Sequence, residues 1–210
     1  MIGAGGHARV VIEALTVGSL HVTGFVCPAR EKPRGVMADL AWLGDDDSLF
    51  ARGPQNITLV NGVGSTGSTE RRRGVFERFS ARGFSFATVV HPAAILASTV
   101  ILGEGAQVMA GAVIQTGVQI GRNAIVNTGA VIDHDGVIGD HVHIAPRACL
   151  VGNVTIGEGA HIGAGATVLQ NLLIGERALV AAGAVVVSEV PPNATVRGIP
   201  ARNPSSGQSR

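Results

Sequence analysis

The chain has 210 residues, 46% of them hydrophobic and 15% charged, and its sixteen basic residues against fifteen acidic ones give no basic field for a nucleic-acid backbone or an anionic membrane surface. Cys27 and Cys149 are too few for a disulfide framework, no signal peptide opens the chain, and the longest apolar run, Ala178 to Val187 with Gly183 inside it, falls short of the about 20 residues that span a bilayer. A reduced, cytoplasmic protein without membrane insertion is expected, with a core of Val, Ile, Leu and Ala, because 30 glycines accompany only 3% aromatic residues.

Residues 1–88 alternate helix and strand signals and read as a small α/β unit. It opens with Gly3-Ala4-Gly5-Gly6-His7-Ala8, which fits the G-x-G-x-x-A turn whose bare backbone and following helix N-terminus receive a phosphate. A tight structural turn without a ligand is the alternative. A helix from Arg9 to Thr16 follows, then strands at His21 to Val26 and Ile57 to Val60, and a basic helix around Ser68 to Arg82. The acid that grips a dinucleotide ribose belongs at the end of the second strand, where Cys27 and Pro28 stand instead; this argues against NAD and leaves a nucleotide-linked sugar open. Only Met1 and Ile2 precede Gly3, so the expectation is a start upstream of Met1 or a weakly folded first unit.

Residues 89–190 carry a period of six. Every sixth residue from Val90 to Val186 is Val, Ile or Leu, four positions later stands Ala, Val, Gly or Leu, and Gly often follows the aliphatic residue directly, as at Gly103, Gly121, Gly139, Gly157, Gly163 and Gly175. Neither the 3.6-residue helix nor a plain alternating strand points every sixth residue inward. A parallel β-helix does, with short strands on three flat faces and small residues and glycines turning the corners. Eighteen residues per coil give between five and six coils, and the register never breaks, so ligands are expected on the flanks or between subunits. A trimer follows, since three such prisms create clefts that one lacks. Residues 191–210 read as a tail without further repeat, disordered from 203 on.

Outward positions on this scaffold hold the titratable groups. His134 and Asp135 occupy the third and fourth hexapeptide positions, with Thr116 and Gly152 one coil to either side. An imidazole whose tautomer is held by a carboxylate is a general-base arrangement; a merely solvated histidine is the other reading. His143 stands one coil before His161, which places the two rings roughly 5 Å apart. His134 and His143 differ by half a coil and cannot share a metal within one subunit, although a trimer could join them, as in a metal-dependent hydratase of the carbonic-anhydrase type. No metal is expected. Cys149 has no histidine beside it in sequence, which disfavours a covalent route.

Taken together, Ile2 to Arg9, Val60-Asn61-Gly62-Val63-Gly64-Ser65, His91-Pro92, His134 to Asp140, His143-Ile144-Ala145-Pro146 and Gly198-Ile199-Pro200-Ala201-Arg202 resemble the bacterial sialic acid O-acetyltransferase and UDP-amino-sugar N-acetyltransferase family. The resemblance covers about residues 2 to 202 and implies a Rossmann-like N-terminal domain followed by a left-handed parallel β-helix, with acetyl-CoA as co-substrate and a sugar or nucleotide sugar as acceptor. It further implies His134 as general base, Asp135 as its acidic neighbour and His143 as an acetyl-CoA contact; Gly152, Ala164 and Ala182 would line the coenzyme cleft between subunits, and Gly5, Gly6, His7 and Ser65 would touch the sugar nucleotide. The chain departs from the family's pattern at Asp135, Cys27-Pro28 and Arg147. A sialic acid O-acetyltransferase acting on a free sugar is the alternative within the family, and a sugar-binding module without catalysis is the alternative outside it.

Overall fold

The computed structural model describes residues 1–28 and 34–203. In the N-terminal unit the helices are α1 (Gly6–Val17), α2 (Asp46–Arg52) and α3 (Glu70–Ser80), with strands β1 (Thr58–Leu59) and β2 (Ser85–Phe86). Parallel pairings place extended residues in the spatial order Trp42, Phe25–Val26, Ile2, Thr58–Asn61, Ser85–Phe86. Ile2 therefore sits at the centre, bridged to Val26 on one side and Asn61 on the other, and is buried. The segment before Gly3 forms no strand of its own, yet Ile2 is bridged on both edges. Phe76, Phe79, Phe84 and Phe86 pack against Ile2 and Leu59, so this unit concentrates the chain's few aromatic side chains.

From Val89 onward the chain forms a left-handed parallel β-solenoid of two-residue strands, whose three sheets hold seven, six and five strands. From Val89–Val90 to Val185–Val186 each strand bonds to one eighteen residues away, as Val131 pairs with Cys149 and Ile132 with Leu150. The aliphatic position and the small position four residues later both point inward, as Ile132, Ile138, Ala130 and Ala148 do in one continuous core. A prism this thin has no room for rings, which is why the repeat excludes them.

The corners differ from the expectation. The residue directly after the aliphatic position does not supply the turn; three residues after it, every sixth residue from Gly105 to Gly183 has positive φ, occupied by glycine or by Asn123, Asp135, His141, Arg147, Asn153, Asn171 and Arg177. Glycine directly after the aliphatic residue answers another need, because a Cβ at Gly121 would lie 2.5 Å from backbone atoms of the next coil.

The chain changes partners between Phe86, paired with β1, and Val89, paired with Gln107. At the far end Thr195–Val196 pairs with Leu179–Val180, so the solenoid continues past residue 190 into the segment read as a tail. Of the disorder expected at 203–210, residues 204–210 lie outside the described residues. Among the described residues no helix is long and apolar enough to cross a membrane.

Candidate functional site

The N-terminal unit lies on the solenoid sheet that carries Val89, Gln107, Ile125, His143 and His161 in its outward row, and all five are buried. Polar side chains fasten this seam. Arg72, 1% exposed, donates from Nε to the Asn123 carbonyl (3.0 Å) and from Nη1 to the carbonyls of Asn61 (2.9 Å) and Val63 (2.8 Å). Asn61 Nδ2 reaches Asn123 Oδ1 at 3.1 Å, and Gln107 Nε2 reaches the Asn61 carbonyl at 2.8 Å. The Arg72 guanidinium has no carboxylate among these partners, and burial pushes its pKa down to about 9.

Between the two units opens a cleft of about 790 Å³. One wall is the Gly3–His7 turn leading into α1, whose first N–H groups have no helical acceptor. The segment from Gly62 to Ser68 forms another wall with Arg71, and Asn127, Thr128, His143 and Pro146 close it from the solenoid. A single chain thus does hold a cleft, contrary to the expectation that the coil alone would leave ligands only flat flanks and subunit boundaries; the second unit supplies the missing walls.

The structure brings Gly5, Gly6, His7, Ser65 and His143 together in this cleft. His7 Nε2 lies 2.8 Å from Gln107 Oε1, and burial, followed by the charge of Arg72, holds its pKa down at about 4. His143 has Nδ1 2.6 Å from Ser65 Oγ and Nε2 3.1 Å from Asn127 Nδ2. Burial, then the neighbouring His161, pushes its pKa down to about 3. The His143 and His161 rings meet at a centroid distance of 4.9 Å, edge to face rather than stacked.

His134 and Asp135 stand apart from the cleft, on the next corner of the prism, which follows the strand Val131–Ile132. His134 Nδ1 lies 2.9 Å from Asp135 Oδ2, with the two side chains 55% and 65% exposed. The Asp135 hydrogen bond raises the His134 pKa above the ordinary histidine value. Asp135 takes φ 59°, a left-handed conformation that aspartate tolerates. The ring of His134 lies over Gly152: a Cβ there would come within 2.6 Å of Cε1 and closer still to Nε2. Gly152 N–H makes no hydrogen bond among the described residues. Ala164 and Ala182 lie one and two coils beyond Pro146, on the cleft's own corner, while Gly152 lies beside His134. Between these corners runs the flat face of Ile95, Val113, Val131, Cys149, Thr167 and Val185. Among the described residues no three His, Cys, Asp or Glu side chains group as metal ligands.

Sequence reasoning missed Asn127, Arg71, Arg72 and Gln107. Arg72 had a signal: it shares a helical face with Phe76 and Phe79, so it had to be buried with them. Asn127 and Gln107 had none, because their roles depend on what the N-terminal unit lays against them.

A β-solenoid of hexapeptide coils joined by a polar cleft to a parallel α/β unit defines a class of transferase, and comparisons narrow it. The model of the bacterial transferase hexapeptide (six repeats) matches residues 99–134 and 135–170. The acetyltransferase domain of PglB from Neisseria gonorrhoeae is 35% identical, with a TM-score of 0.87, covering 96% of this chain and 97% of that one; its acetyl coenzyme A complex matches with a TM-score of 0.86. PerB from Caulobacter crescentus, in complex with CoA and GDP-perosamine, is 37% identical with a TM-score of 0.87, covering 96% of this chain and 94% of that one. WeeI from Acinetobacter baumannii, at 24% identity and a TM-score of 0.83, shares the fold. A search of curated proteins gave no match. The chain belongs to the bacterial hexapeptide-repeat transferases.

Proposed function

We propose that this protein is an acetyl-CoA-dependent acetyltransferase that N-acetylates an amino sugar linked to a nucleotide. The reading is carried by likeness over nearly the whole length to an enzyme holding CoA and GDP-perosamine and to a domain holding acetyl coenzyme A. The parallel order with Ile2 at its centre and the glycine turn into α1 support a Rossmann-like reading of residues 1–88, with the acceptor's diphosphate against Gly5, Gly6 and the α1 N-terminus.

His134 acts as the general base. The neutral acceptor amine attacks the thioester carbonyl, its N–H proton passes to His134, and the tetrahedral oxyanion expels CoA, whose sulfur takes the proton. Asp135 orients the ring and favours its protonated form in the transition state. The Gly152 N–H beside the ring, which makes no hydrogen bond among the described residues, donates to the oxyanion. The coenzyme lies along Pro146, Ala164 and Ala182, and His143 belongs to the wall between coenzyme and acceptor. Since the cleft and His134 stand on different corners of one prism, the complete site joins two subunits, and the apolar row Ile95, Val113 and Val131 supports a homotrimer packed through that face.

Thiol release from acetyl-CoA against UDP- and GDP-linked amino sugars and free sialic acid tests this reading. Release with a nucleotide-linked amine supports it; release with free sialic acid alone overturns it.

A further inference from the structure

We propose that Ser65 is a specificity-determining residue whose hydroxyl is fixed, through a hydrogen-bond relay from Asn127 and His143, as a donor to an anionic oxygen of the ligand in the cleft. The inference deepens the nucleotide-linked reading above and rests on it for the ligand's identity.

The relay follows from which atoms can donate. Thr128 N–H donates to Asn127 Oδ1 at 2.8 Å, which fixes the orientation of that amide. The group facing His143 is therefore the Asn127 NH₂, and its contact of 3.1 Å with Nε2 requires Nε2 to accept. A neutral imidazole that accepts at Nε2 carries its proton on Nδ1. Nδ1–H then donates to Ser65 Oγ at 2.6 Å. The Ser65 hydroxyl receives rather than gives that bond, so its own O–H is available, and the hydroxyl makes no other hydrogen bond among the described residues. Burial of His143 keeps the ring neutral and the direction of the relay unchanged at physiological pH.

The surroundings indicate what the hydroxyl meets. Ser65 is half-buried in the cleft wall, with the α1 N-terminus and Arg71 lining the same space and no carboxylate among the lining residues. A wall of N–H, O–H and guanidinium groups suits a ligand atom that only accepts and carries negative charge, as diphosphate oxygens do. Had the relay run the other way, Ser65 would donate to His143 and present lone pairs to the phosphate.

Two measurements on the full chain decide it. Long-range ¹H–¹⁵N spectra of ¹⁵N-histidine-labelled protein should show His143 as the Nδ1–H tautomer; the Nε2–H tautomer overturns the relay. Calorimetric titration with UDP and with GDP should show Ser65→Ala weakening whichever nucleotide the wild type binds by about tenfold or more, as loss of a hydrogen bond to a charged group does. Ser65→Thr, which keeps the hydroxyl, should stay within about threefold. Equal binding by Ser65→Ala and wild type overturns the inference while leaving the nucleotide reading intact. If the wild type binds neither nucleotide, that reading falls, and the tautomer alone decides the relay.

Discussion

Replacing Gly152 with Ala probes the seat of the proposed base without touching its chemistry. Gly152 does not have the positive φ that alanine would resist, so the backbone accommodates the change. The new methyl group would lie 2.6 Å from Cε1 and 3.0 Å from Cδ2 of His134, where ordinary contact needs 3.4–4 Å. The ring must move by about 1 Å, which breaks its 2.9 Å bond to Asp135 and withdraws it from the acceptor amine; a misplacement of that size costs about a hundredfold in rate. Steady-state thiol release should therefore show kcat lower by about two orders of magnitude, with the melting temperature close to that of the wild type because the displaced ring is exposed. Full kcat in Gly152→Ala would refute both the seat and the role given to the ring above it.

The rate should also report the ionisation of His134: because Asp135 raises its pKa and the base must be unprotonated, kcat/KM falls on the acid side, and Asp135→Asn shifts that limb to lower pH. Stability has its own pH dependence. His7 and His143 are neutral and buried with pKa values of about 4 and about 3, so the unfolded chain binds more protons below its ordinary histidine pKa; stability is full above that value and is lost as pH falls from there toward 4 and 3, at up to about 1.4 kcal/mol per pH unit for each group, measurable by urea unfolding. Arg72→Met leaves the carbonyls of Val63 and Asn123 without their donor in the seam and that of Asn61 with Gln107 alone, and should cost about 3 kcal/mol or more and expose the seam to limited proteolysis. Ile132→Ala, at a fully buried solenoid position, should cost about 2–5 kcal/mol by the same unfolding assay.

The solenoid was legible because its constraint is local and repeated: each coil asks for an aliphatic residue and a small one, and Val90 to Val186 answer without a break. The corners were read two positions out of place, since glycine serves both a positive φ and close packing between coils, and sequence alone does not tell which need a given glycine meets. The central place of Ile2 was not legible because its bridge partners, Val26 and Asn61, are both remote in sequence. His134 and Asp135 were visible as adjacent residues in an outward slot. The cleft was not, because it arises where Ser65 and Arg72 from one unit meet His143, Asn127 and Asn123 from the other.

The most direct test of the account follows the acetyl group itself. With acetyl-CoA labelled at the acetyl carbonyl carbon, ¹³C spectra of the reaction with a nucleotide-linked amino sugar should show the label moving from thioester to amide, with one free CoA thiol per amide formed. The His134→Ala protein should make the same amide at a rate lower by about two to four orders of magnitude. A label appearing as an ester on a free sugar, or transfer that proceeds unchanged without His134, would contradict it.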